Sequence, residues 1–155
     1  MNVAQLIRTW YDIADGQSPG NPDMFFRFIS IWVAANALYA SRHSNERSDA
    51  KQILRFASDP DVVDRHRQLL DSDESYKAAL AVIKERGVSD PRGGRKRTIQ
   101  DERNVLEVLQ SVYQVRCNLF HGGKLPGNVR DERLVDAAYA VTSLLISPLI
   151  PPASG

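Results

Sequence analysis

Apolar residues recur along this chain at three- and four-residue intervals, the spacing that lines one face of an α-helix. Val3, Leu6, Ile7, Trp10 and Ile13 predict a short first helix over 2–14, followed by a loop from Asp15 to Gly20. Asn21-Pro22-Asp23 then reads as a helix start: an Asn cap, Pro at the first helical position and Asp at the positive end of the dipole. The helix it opens, 21–41, is apolar on nearly every side, from Phe25 to Tyr39, as a helix covered by neighbours on several faces should be. Weaker stripes predict shorter helices from about Glu46 to Ala57 and from Asp59-Pro60 through Leu70. Another is expected behind an Asp71/Glu74 capping pair and ends at Gly87. After a Gly-containing basic stretch, Thr98 with Asp101 opens a helix over 98–120. Asn128 with Asp131 opens the last, 128–147, seamed by Leu134, Ala138, Val141 and Leu145.

No two-residue alternation bounded by hairpin turns interrupts this pattern. The expected fold is all-α: an up-and-down helical bundle of four to five main helices with short inserted helices. The expected organisation is a single domain over 1–147 with a Pro-rich flexible tail at 148–155.

Composition narrows the setting. The chain has 155 residues, enough to bury a core without disulfides or metal. Its net charge of +1 provides no global field for nucleic acid or membrane, so any such binding must come from a local patch. The single Cys117 rules out an internal disulfide framework and suits a reducing compartment. The N-terminus has no basic region leading into an apolar one, so no secretory signal is expected. The apolar run Met24–Ala40 is shorter than the roughly 20 residues of a membrane span and carries Arg27 and Asn36. It reads as a core helix, which makes the expected location cytoplasmic.

Several chemistries are unsupported. Three His and one Cys lie at no ligand spacing, so no metal is expected, and the absence of a Gly-rich phosphate loop leaves no cofactor site. Asp59/Asp61 and Asp71/Asp73 stand at helix starts, where the dipole explains them. Cys117 and His121 share a helical face. A thiolate at a helix C-terminus, however, would sit on the negative end of the dipole, which disfavours the ionised form.

What remains is the stretch Arg116-Cys117-Asn118-Leu119-Phe120-His121-Gly122-Gly123-Lys124. An Arg fork can grip a phosphodiester and an imidazole can take a proton from a hydroxyl near neutral pH. Lys124 adds a point charge, and Asn118, three before His121, is placed to orient the imidazole or a substrate. On spacing alone the alternative is that Arg116 and His121 cap the helix while the glycines turn the chain. Five residues at about 100° each set the two about 140° apart. They converge only where the helix ends near Phe120 or where two copies of the chain meet. Asn36 is either a buried residue satisfied by a neighbour or a residue facing this corner. Arg92, Arg95, Lys96 and Arg97 form either a solvated loop or a surface that tracks RNA phosphates.

At these residues the chain resembles the HEPN superfamily, the domains found in higher eukaryotes and prokaryotes. Arg116 to His121 gives that family's Arg-x4-His motif, and the Gly122-Gly123-Lys124 extension resembles Apea-like and related stand-alone bacterial members. Trp32-Val33-Ala34-Ala35-Asn36-Ala37-Leu38-Tyr39 resembles the first long helix of that group. The resemblance implies a dimeric helical bundle with the motifs of two subunits facing one cleft. It also implies metal-independent endoribonuclease activity in toxin–antitoxin or anti-phage defence. On that reading His121 is general base or acid, Arg116 holds the phosphate, and 2′-hydroxyl attack leaves a cyclic phosphate. The expected partners are RNA, a second copy through the Arg116/His121 corner, and an antitoxin or defence protein, with no membrane. The alternative within the family is a non-catalytic module that binds RNA, a nucleotide or a protein. Two positions depart from the pattern. Cys117 stands where members often carry Asn, Asp or His, and Gly123 stands where a subgroup carries a Tyr open to nucleotidyl transfer.

Overall fold

Short polar side chains at the helix junctions set where several elements begin, and one long apolar helix supplies much of what they pack on. The computed structural model describes residues 24–90, 92–120 and 129–153, with Val3, Ala4, Ile7, Arg8, Tyr11 and Asp15 near the N-terminus, all six helical. Among the described residues six helices follow in order: α1 (Met24–Arg42), α2 (Asp49–Phe56), α3 (Pro60–Ser72), α4 (Glu74–Arg86), α5 (Val105–Phe120) and α6 (Val129–Ile146). A short 3-10 turn, Ser147–Leu149, closes the series. Among the described residues there is no strand, only an isolated antiparallel bridge between Val88 and Arg97. The protein is an all-α helical bundle, as the periodicity predicts.

α1 buries Phe28, Ile31, Trp32, Ala34, Ala35, Leu38 and Tyr39, positions that run round most of the helix. Its main partner is α6, which also lies along α4 and touches α3 and α5, so α6 is the hub of the bundle. Two fully buried stretches of α6, Val135 with Ala138 and Val141 with Leu145 and Ile146, fill the space between α1 and α4. Among the described residues α1 is the one helix long and apolar enough, by length and composition, to cross a membrane. The most apolar part of it is 44% buried against the rest of the bundle.

The helix starts correct the sequence reading in three places. α2 begins at Asp49, because the Ser48 hydroxyl accepts from the Lys51 N–H and Glu46 stays outside, bracing Arg55 at 3.2 Å. Asp73, not Asp71, caps α4: its carboxylate accepts from the Tyr76 N–H at 2.9 Å while its own N–H closes α3 on the Leu69 carbonyl. α5 begins at Val105 rather than Thr98. There the Asp101 carboxylate accepts from the Arg103 N–H and the Asn104 side chain from the Leu106 N–H. The Glu107 carboxylate reaches back to the N–H groups of Gln100 and Asp101. These bonds occupy backbone N–H groups between Gln100 and Leu106 without helix over 98–104, and Asn104 caps α5.

Asp15, expected to open a loop, is helical, whereas two other boundaries follow the expectation. Gly87 ends α4 at φ +64°, a conformation that favours glycine. Pro60 opens α3; its cap position, Asp59, leaves the helix uncapped because Arg42 and His43 take its carboxylate. The caps expected at Asn21 and Asn128 lie outside the described residues. Packing continues past the expected end of the domain at 147: Leu149 packs on the core and Ile150 is buried.

Candidate functional site

α5 carries the corner. Val105, Val108, Leu109, Val112 and Val115 face the core. Tyr113, Arg116 and Phe120, three and four residues apart, fall on one stripe of the helix about 60° wide. The Arg116 guanidinium carbon lies 4.5 Å from the centre of the Phe120 ring and 5.9 Å from that of Tyr113. Its Nη1 is 3.9 Å from Cys117 Sγ, a weak contact. Its Nε is buried and, among the described residues, has no hydrogen-bond partner. Nor does any described carboxylate pair with this guanidinium, in contrast to Arg42. Arg42 forks onto Asp61 at 2.8 and 2.9 Å and reaches Asp59 at 3.2 Å. A buried donor left unpaired costs roughly 1–3 kcal/mol. Arg116 thus lies against two aromatic rings, with most of its donors unspent among the described residues.

Behind the stripe lies a second polar group. Trp32 of α1 is the shared wall, with ring centres 5.9 Å from Tyr113 and 6.0 Å from Tyr39. Asn36 Nδ2 donates to the Tyr39 hydroxyl at 2.5 Å and to Asp49 Oδ1 at 3.2 Å, and the Tyr39 hydroxyl lies 3.3 Å from the same carboxylate oxygen. Burial pushes the Tyr113 hydroxyl above its usual pKa. Cys117, which shares a hydrogen bond with it, and Asp49 add to this, against the pull of Arg116. Burial likewise pushes the Tyr39 hydroxyl well above the ordinary tyrosine range. Both phenols are neutral donors at physiological pH. Asn36 is thus satisfied within this group by Tyr39 and Asp49.

Asn118 is placed differently. It is buried, two residues and so about 160° round α5 from Arg116. Its Oδ1 accepts from Gln114 at 2.9 Å and its Nδ2 donates to the Ser89 carbonyl at 2.8 Å, pinning the 88–97 segment to the back of α5. The exposed Arg92, Arg95, Lys96 and Arg97 belong to that segment. Arg95, Lys96 and Arg97 line a shallow cleft of about 230 Å³ with Gln100, Glu107 and Gln110. The structure does not bring this basic loop to Arg116; the two sit on different faces of α5. His121 and Lys124 lie outside the described residues, as does the expected Gly122–Gly127 break, and α5 is described up to Phe120.

Sequence reasoning missed Tyr113, Phe120 and Asp49. The first two were legible as the i−3 and i+4 neighbours of Arg116. Asp49 was not, because only the packing of α2 against α5 and α1 brings it there. Among the described residues no group of three or more His, Cys, Asp or Glu side chains is disposed to hold a metal ion. Comparison of the chain with protein-family models, curated proteins and solved structures found no match, which leaves the chemistry of Arg116 and its rings as the guide to function.

Proposed function

We propose that this chain is a metal-independent endoribonuclease of the HEPN type, acting in the cytoplasm in toxin–antitoxin or anti-phage defence. The observation that carries the reading is Arg116: a guanidinium fixed on two aromatic rings, with no described carboxylate partner and a buried, unpaired Nε. A cationic fork with no described carboxylate partner suits an external anion, which its terminal nitrogens would grip.

In the proposed reaction Arg116 holds the non-bridging oxygens of an RNA phosphodiester. His121, five residues on in the Arg-x4-His motif, takes the proton of the neighbouring 2′-hydroxyl. The 2′-oxygen forms its bond to phosphorus as the bond to the 5′-oxygen breaks, leaving a 2′,3′-cyclic phosphate. The departing oxygen takes a proton from the His121 of a second copy, so the active form is a homodimer joined at this corner. The basic loop Arg92 to Arg97 gives a separate surface for the RNA backbone, and an antitoxin or defence protein is the regulating partner.

The test is cleavage of labelled RNA in excess EDTA, with folding of each variant checked by circular dichroism. The expected result is activity in the wild type and a loss of about 100-fold or more in His121→Ala and in Arg116→Ala. Undiminished activity in both variants would remove the reading. Salt-sensitive RNA binding without turnover would identify a non-catalytic binding module instead.

A further inference from the structure

Phe120 is the most exposed of the large apolar side chains described, 54% open to solvent. Its neighbour Leu119 packs on the core, so the chain does not lack a buried position at this turn of α5. The exposed ring is also stacked on one side. The Arg116 guanidinium covers one side of it at 4.5 Å, and Tyr113 stands one turn further back on the same stripe. The result is an aromatic surface oriented by a cation that has no described carboxylate partner. The group that complements both features at once has a flat π-face and a negative charge a short, flexible link away. A nucleotide is built that way, and every base has a face that stacks on an aromatic ring. An acidic peptide would answer the cation alone, and an apolar partner the ring alone.

We propose that Phe120 is the nucleobase platform of the site: a base stacks on the open part of its ring while the adjoining phosphate sits on the Arg116 fork. The proposal rests on the reading of Arg116 as a phosphate site and adds the residue that positions the nucleotide beside it. Phe120 does not touch the bonds that change. It is a positioning residue, and its loss weakens binding more than it slows a bound substrate.

The experiment measures anisotropy of a fluorescent 2′-O-methyl RNA, which binds but cannot be cleaved through its 2′-oxygen. A set of the same oligonucleotide carrying one abasic sugar at successive positions is measured beside it. The full-length wild type, Phe120→Leu, Phe120→Trp and Arg116→Ala are compared. Phe120→Leu is expected to bind about tenfold more weakly and Phe120→Trp to restore the affinity. At one position the abasic sugar is expected to cost the wild type the same tenfold and to cost Phe120→Leu nothing further. Equal affinity of the wild type and Phe120→Leu overturns the proposal, as does an abasic penalty that survives in Phe120→Leu. Full binding by Arg116→Ala with the Phe120 effect intact removes the phosphate reading and leaves the platform standing. Absence of any binding by the wild type removes both. A change of sedimentation in Phe120→Leu without RNA, and with no abasic penalty in the wild type, makes the ring a protein interface and overturns the proposal.

Discussion

Two arginines near helix ends show what a guanidinium does with and without a carboxylate. Arg42 spends its fork on Asp61 and Asp59, which holds the Asp61 carboxyl below its ordinary pKa and ties the end of α1 to the start of α3. Arg116 has rings beneath it and no such partner among the described residues. Lysine in its place would keep the charge but lose the planar stack and the fork. Arg116→Lys is therefore expected to lose at least about tenfold in RNA affinity while its thermal midpoint stays close to that of the wild type; affinity equal to the wild type's would show that charge alone suffices. A second residue-scale prediction concerns His66. Its ring is buried between the Tyr76 hydroxyl at 2.6 Å and the Glu102 carbonyl at 2.7 Å. The carbonyl only accepts, so Nε2 carries the proton and Nδ1 accepts from the tyrosine. Burial lowers the His66 pKa, so below about pH 6.5 the unfolded chain binds more protons than the folded one. This stability is fully present above that pH and is lost as pH falls towards the lower folded value. Urea midpoints at pH 7.5 and 5.5 should fall more in the wild type than in His66→Gln, and an equal fall contradicts the assignment.

At the scale of elements, the loop between α4 and α5 is held by three devices: Gly87, the Val88–Arg97 bridge and the Asn118–Ser89 bond. A Cβ at Gly87 would meet Lys96 Cε at 2.6 Å and the Arg97 carbonyl at 3.1 Å, on a backbone at φ +64°. Gly87→Ala should cost about 1–2 kcal/mol in urea unfolding, more than Gly93→Ala, where φ is also positive but the space is open. Comparable losses would mean that the close approach does not matter. Asn118→Ala should speed amide exchange at Val88 and Arg97, whose N–H groups carry the bridge, and unchanged exchange there would show the bond to be incidental. These elements also show what the sequence made legible. The helices themselves, the Pro60 start and the Gly87 stop follow from local chemistry that the chain displays outright. The start of α5 does not, because Thr98 and Asp101 look like a cap until Glu107 is seen reaching back to Gln100 and Asp101. Arg116 stood out as a candidate by residue type and place. Phe120 and Tyr113 are legible by their spacing to Arg116 but easily passed over, because aromatic residues at helical spacing usually mark a core. Asn118 was expected beside the site by its distance from His121, yet its partner is Ser89, which only tertiary packing brings near.

For the whole molecule, a net charge of +1 means that attraction to RNA must come from particular surfaces. The bundle separates two of them: the basic cleft on one face of α5 and the Arg116 stripe on another. α6, packed on both α1 and α4, fixes the frame in which they stand. If the cleft tracks the RNA backbone, replacing Arg95, Lys96 and Arg97 together with Gln should reduce the salt slope of binding by about 2, counting three phosphate contacts on a single strand. A slope that stays the same would confine RNA contact to the Arg116 face. The central claim is that Arg116 holds a phosphodiester that this protein cleaves through the adjacent 2′-hydroxyl. Its most direct measurement is cleavage, in excess EDTA, of an RNA and of the same strand made 2′-deoxy at the cleaved nucleotide, by the wild type and by Arg116→Ala. The wild type is expected to cut only the all-ribose strand and leave a 2′,3′-cyclic phosphate, and Arg116→Ala to cut neither. Cleavage of the 2′-deoxy strand at the same position, or equal cutting by the folded Arg116→Ala protein, would contradict it.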